Sequence, residues 1–119
     1  MEAVNKAIMA FSQSEKVKAG IIWASQSLNL LQGLPGAERK GAERIVTTLI
    51  NMIIQEVKLA EAISGDERWK GIAPNIEKAV MMIDSGVGEE AINHLSKALS
   101  LVTNIGQQSM VFLKEKDLL

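Results

Sequence analysis

Apolar residues recur along the chain at alternating intervals of three and four, the spacing that gathers side chains on one face of an α-helix. In the first third they fall at Ala3, Ala7, Ala10, Val17, Ile21, Ala24, Leu28 and Leu31, with Ser14 as the one polar member. A second series runs through Val46, Ile50, Ile53, Val57 and Ala60, and a third through Trp69, Ile72, Ile76, Ala79 and Ile83. A fourth takes in Ala91, Leu95, Ala98, Val102, Ile105, Ser109 and Phe112. Alternation of period two never persists beyond a few positions, and the aromatic residues that sheets favour are only Phe11, Trp23, Trp69 and Phe112. The predicted class is all-α.

Punctuation divides the pattern into four helices. Gly33, Pro35 and Gly36 end the first near Gln32, with Gly33 expected in the left-handed conformation that closes helices. The second runs from about Ala37 to Ile63, where Gly65 acts as a stop and Asp66 as an N-cap for the next segment. Pro74 is tolerated only in a first turn or at a kink, so the third helix begins near Ala73, after a short turn containing Trp69. Gly86 and Gly88 precede Glu89 and Glu90, whose carboxylates suit the positive end of a fourth helix. The breaks at 33–36, 64–68 and 86–88 are short, which makes successive helices antiparallel, and seams of 3.5-residue repeat pack at about 20°. The expectation is an antiparallel up-down-up-down four-helix bundle with a short third helix. A length of 119 residues suits one core, so the chain reads as a single domain over 1–119.

Two helices carry more apolar surface than such a bundle consumes. Ile45, Leu49, Met52, Leu59 and Ile63 form a second series on the second helix, interrupted by Glu56, while Met9, Ile22, Trp23 and Leu30 point away from the first seam. A helix apolar over so wide an arc is central or covered by a partner, and in a four-helix bundle every helix is peripheral. The surplus predicts packing against another chain, most simply a twofold copy. A wider core with a skewed third helix is the alternative.

Composition narrows the chemistry. Thirteen basic and fourteen acidic side chains give a net charge of −1, against the broad positive potential of nonspecific nucleic-acid binding. With no Cys there is no disulfide framework, thiolate ligand or thiol nucleophile, which fits a reducing compartment, by default the cytoplasm. No apolar run approaches a membrane span, and the N-terminus lacks the basic start and apolar stretch of a secretory signal, so no membrane association is expected. His94, the only histidine, lies one turn after Glu90, whereas di-iron bundles use Glu-x-x-His on two helices; it is expected to bond backbone or water. Glu56, Glu61, Glu77 and Asp84 suggest a magnesium cluster on paper, yet only Glu56 lies in an apolar stripe, where a Lys or Arg from a neighbouring helix is the simpler companion. The paired Glu-x-x-Glu and Glu-x-x-Asp motifs of all-α nucleotide pyrophosphatases have no match. Gly33, Gly36 and Gly41 around Arg39 and Lys40 lack any phosphate-loop pattern. Arg39, Lys40 and Arg44 alternate with Glu38 and Glu43 and read as a solvated face with internal ion pairs. No serine sits in a Gly-x-Ser-x-Gly elbow. Neither a cofactor nor catalysis is expected.

The run Gly88, Glu89, Glu90, Ala91, Ile92, Asn93, His94, Leu95, Ser96, Lys97, Ala98, Leu99 resembles the second helix of a tetratricopeptide repeat, with small, large and small residues at Ala91, Leu95 and Ala98. Upstream, Asn75, Lys78, Ala79 and Met82 stand where such a repeat has Trp, Leu-Gly and Tyr, and the chain has no 34-residue period. The resemblance implies helical-hairpin packing. In size and helical layout the chain is also similar to small flagellar and secretion chaperones, by architecture alone.

These features together predict a noncatalytic interaction protein, an adaptor, assembly factor or small chaperone, that self-associates as a homodimer or docks a partner's amphipathic helix. The expected surface comprises Ile22, Trp23 and Leu30, then Ile45, Met52 and Leu59, then Met110 and Val111, with flexible Met side chains adapting to the partner. An alternative is a binder of a small apolar ligand inside the bundle, where Gly20 and Gly106 leave room; a metal-dependent enzyme built on Glu56 or on Glu90 and His94 comes third.

Overall fold

A computed structural model describes residues 2–119. The chain forms α1 (Glu2–Leu31), α2 (Gly36–Ser64), a 3-10 turn (Glu67–Trp69), α3 (Ile72–Asp84) and α4 (Gly88–Glu115), with no strand among the described residues. α1 and α3 each pack on both α2 and α4, so the helices close a ring in chain order. Lys16 in the middle of α1 meets Glu56 late in α2, and Lys58 late in α2 meets Glu77 in the first half of α3. Arg68 just before α3 meets Gln108 late in α4, and Gly88 at the start of α4 lies against Gln32 at the end of α1. Neighbours are therefore antiparallel, and the architecture is an all-α four-helix bundle of 53 × 23 × 18 Å. Its length follows from α1, α2 and α4, of 30, 29 and 28 residues, at about 1.5 Å per residue. α3 has only 13 residues, and the 3-10 turn continues its row by burying Trp69 completely.

The seams supply the core. Every member of the second and third series is buried, and Ile54 joins them on α2. The first series holds from Ala10 onward, but Ala3 is exposed and Ala7 half-buried. Counting outward from Gln13, whose amide donates to the Glu56 carbonyl, α2 runs out level with Asn5, leaving nothing on that side for Ala3 to pack against. At the end of α4, Leu113 is buried in place of Phe112, since a helix of 3.6 residues per turn drifts from a strict 3.5 repeat.

Loop chemistry matches the punctuation with one exception. Gly65 and Gly86 adopt left-handed φ of 63° and 81°, and the Asp66 carboxylate accepts from the Arg68 N–H at 2.9 Å. Gly33 does not enter the left-handed region. The N–H groups of Gly33 and Leu34 instead donate to the carbonyls of Leu30 and Leu31, tightening the end of α1 into a turn. That turn brings Leu34 back against the bundle.

Candidate interaction face on the first two helices

The α1–α2 register decides which surplus apolar residues meet. Gln13 and Lys16 both bond Glu56, Gly20 lies against Ile53, and Leu30 and Leu34 share a groove with Ala42 and Ile45. These positions on α1 follow a single 3-4 row that also contains Trp23 and Ser27. On α2 the corresponding row is Ile45, Leu49, Met52, Glu56, Leu59 and Ile63. The two rows run side by side, with Trp23 level with Leu49 and Met52.

This juxtaposition creates one apolar face near the α1–α2 loop. Trp23, Leu30, Leu34, Ile45 and Met52 are 63%, 83%, 38%, 74% and 58% exposed. They present roughly 600 Å² of apolar side chain, at the top of the range of about 300–600 Å² for the largest patch on a monomeric protein, which is often functional. No charge interrupts the patch, because residues 19–37 and 45–55 contain no Asp, Glu, Lys or Arg. Between Leu30, Leu34 and Ile45 lies a groove of about 280 Å³, floored by Leu31 and Val46 and bordered by Ser27 and Ala42.

A polar clasp bounds the face at its other end. Lys16 Nζ lies 2.9 Å from Glu56 Oε1, and Gln13 Nε2 donates to Glu56 Oε2 at 2.7 Å. The Lys16 ammonium, then the Gln13 amide, hold the Glu56 carboxyl below its usual range. The carboxylate inside the apolar stripe has thus found a lysine on the adjacent helix. Leu59 continues the α2 row beyond this clasp and is exposed with Ile63.

The other members of the expected surface lie elsewhere. Ile22 is half-buried on the flank of α1 that carries Glu15 and Lys18, toward α4. Met110, also half-buried, lines a shallow groove with Phe11, Glu15 and Lys18 on that same α1–α4 flank. Val111 is exposed on α4 one turn beyond Gln108, whose side chain accepts from Arg68. The structure therefore gathers Trp23, Leu30, Ile45 and Met52, with Leu59 adjoining, and separates Ile22, Met110 and Val111 from them. Sequence reasoning missed Leu34, Ser27 and Ala42. The signal was present in the row 16, 20, 23, 27, 30, 34 and in the two long charge-free runs.

Glu77 pairs with Lys58, Asp66 with Arg68, and among the described residues no three His, Asp or Glu side chains group to hold a metal. The Nδ1 of His94 is buried and bonds no protein group among the described residues. Charged residues 38–44 form no ion pairs with one another among the described residues. Glu43 instead reaches toward the start of α4, its carboxylate 3.3 Å from where a Gly88 side chain would begin, so the N-terminal dipole there already faces an anion. Methyl groups at Gly20 and Gly106 would stand 3.0 Å from Ile53 and 2.6 Å from Ser14, so neighbouring helices occupy the space beside both glycines. No helix is long and apolar enough to cross a membrane among the described residues. Compared with known proteins, the chain matches no family model, no characterised protein and no solved structure.

Proposed function

We propose that the chain is a noncatalytic interaction protein whose α1–α2 face receives an apolar helical surface, from another protein or from a copy of itself. Such a role is that of an adaptor, assembly factor or small chaperone. The observation that carries the reading is the contiguous, charge-free apolar face of Trp23, Leu30, Leu34, Ile45 and Met52. Recognition of an amphipathic helix needs a groove between two helices, apolar anchors at helical spacing and few charges to desolvate. The groove at Leu30, Leu34 and Ile45 supplies the first, Trp23 and Leu30 at an interval of seven supply the second, and the charge-free runs supply the third. Met52 adds a flexible side chain that adapts to differently shaped partners.

The chemistry available elsewhere supports recognition over catalysis, since the carboxylates most nearly clustered are engaged by lysine and arginine. A cysteine-free composition supports a reducing compartment such as the cytoplasm. Native mass spectrometry of the protein purified from its own cells tests the reading. A bound protein mass, lost from the Trp23→Ala variant, is the expected result. A retained small molecule or metal with no protein, or an assembly indifferent to Trp23→Ala, overturns it.

A further inference from the structure

We infer that the occupant of the α1–α2 face is a second copy of this chain, docked about a twofold axis that seats Trp23 of each copy in the groove of the other. The inference rests on the face acting as a docking surface, and it adds the partner and the geometry.

The face carries both halves of a self-complementary contact. Trp23 projects from it, and the groove at Leu30, Leu34 and Ile45 opens seven residues further along α1, about 10 Å away. An isologous interface requires a knob and a hole on one surface, exchanged by the symmetry operation. A twofold axis lying in the face, perpendicular to α1 and midway between Trp23 and the groove, makes that exchange twice. The groove is large enough for the indole, since an apolar cavity of about 150 Å³ already admits benzene and this one measures about 280 Å³.

Two further features fit the same operation. The axis passes beside Ser27, whose small side chain lets two antiparallel α1 helices approach. It also brings Lys16 of one copy to the level of the partner's Glu38, because Glu38 lies one heptad before Ile45 on the α2 row. Both side chains are accessible, that of Lys16 by 61% and Glu38 within the exposed start of α2. Opposite charges thus meet at both rims, and no charge is buried between them. The apolar area between the rims, roughly 600 Å² per copy or about 1,200 Å² in all, reaches the lower bound of specific, stable interfaces.

Sedimentation of the purified full chain, over concentrations from below one to tens of micromolar, reads the association directly. A dimer is expected, with Trp23 shielded from acrylamide on association and Trp69 buried throughout. Trp23→Ala weakens dimerisation by at least about thirtyfold, the effect of removing a buried aromatic anchor, and Leu30→Gln, also at an exposed position, weakens it as well. Glu38→Lys weakens it several-fold, less so in high salt. In this cysteine-free chain, Ser27→Cys cross-links to its own copy under mild oxidation, whereas Ser100→Cys, on the exposed surface of α4, does not.

A chain that stays monomeric at tens of micromolar overturns the homodimer. So does a dimer that survives Trp23→Ala, or that cross-links no faster through Ser27→Cys than through Ser100→Cys. If the isolated chain is monomeric while its complex from cells still depends on Trp23, the twofold geometry falls and the docking face stands. If neither association depends on Trp23, both fall together.

Discussion

Replacing Gly106 with alanine puts a methyl group 2.6 Å from Ser14 Oγ and 3.4 Å from Ser14 Cβ, at the closest approach of α1 and α4. Ser14 cannot swing clear without cost, because it is buried and its hydroxyl donates to the Phe11 carbonyl at 2.8 Å. Forcing a methylene into a packed core costs about 1–3 kcal/mol, while alanine recovers about 1 kcal/mol of helix propensity relative to glycine. The net expectation is a destabilisation of up to about 2 kcal/mol. Ser14→Ala alone is nearly neutral, since the Phe11 carbonyl keeps its place in the helix ladder. Combined with Gly106→Ala it removes the colliding oxygen, so the double variant regains most of the loss and the cycle shows a coupling of about 1–2 kcal/mol. Urea unfolding followed by far-UV circular dichroism, at one fixed protein concentration, measures all four species. Gly20→Ala is the contrast: its methyl meets Ile53 Cγ1 and Cδ1 at 3.0 and 3.1 Å, a looser approach than the 2.6 Å at Gly106, and its cost is smaller. A Gly106→Ala variant more stable than the parent, or a loss that Ser14→Ala does not relieve, would refute the close crossing.

Three other outcomes rest on particular residues. Trp69→Ala should cost about 3–5 kcal/mol, as truncation of a fully buried aromatic residue does, whereas Trp69→Phe should cost clearly less, because it leaves a smaller cavity and the buried indole N–H has no protein partner to lose; thermal melts of both variants check this. Gly65→Ala should lose about 1 kcal/mol through the left-handed φ of 63° alone, as nothing lies within 4 Å of the added methyl, and Gly65→Asn should lose less in the same melts. Below neutral pH the bundle should weaken. Arg68 holds the Asp66 carboxyl, and Lys16 the Glu56 carboxyl, below their ordinary values, so their contributions are complete above the ordinary carboxylate range and vanish as pH falls through the lowered folded values. An acid titration of stability should be shallower for Asp66→Asn, and an identical slope would count against the pairing.

The helical seams were legible because each arises from one local period that any neighbour must respect. Val46, Ile50, Ile53 and Val57 face inward whichever helices flank them. The face on α1 and α2 was only partly legible, since its composition depends on a register between helices that no local period contains. Trp23 and Ile45 could be seen as surplus, but their meeting depends on Gln13 and Lys16 reaching Glu56. Leu34 stayed hidden because it sits among Gly33, Pro35 and Gly36, which mark a loop, and only the tightened turn folds it back onto the groove. Ile22 differs from Trp23 by one residue, or about 100° around the helix. That rotation is enough to send it toward α4, and only the ring order of the helices reveals that α4 is there. Met110 was separated from the face for the same reason.

The ring order also sets how the chain must assemble. Contacts of α1 with α2, α2 with α3 and α3 with α4 join segments that are successive in sequence, so each forms by closing a short loop. The α1–α4 seam is different, because Ser14 and Gly106 meet across almost the whole chain. Its loop-closure entropy is charged once, and least when the three hairpin contacts have already drawn α1 and α4 together. The seam is therefore the keystone in time as well as in space: weakening it should leave the refolding rate nearly unchanged and appear as faster unfolding.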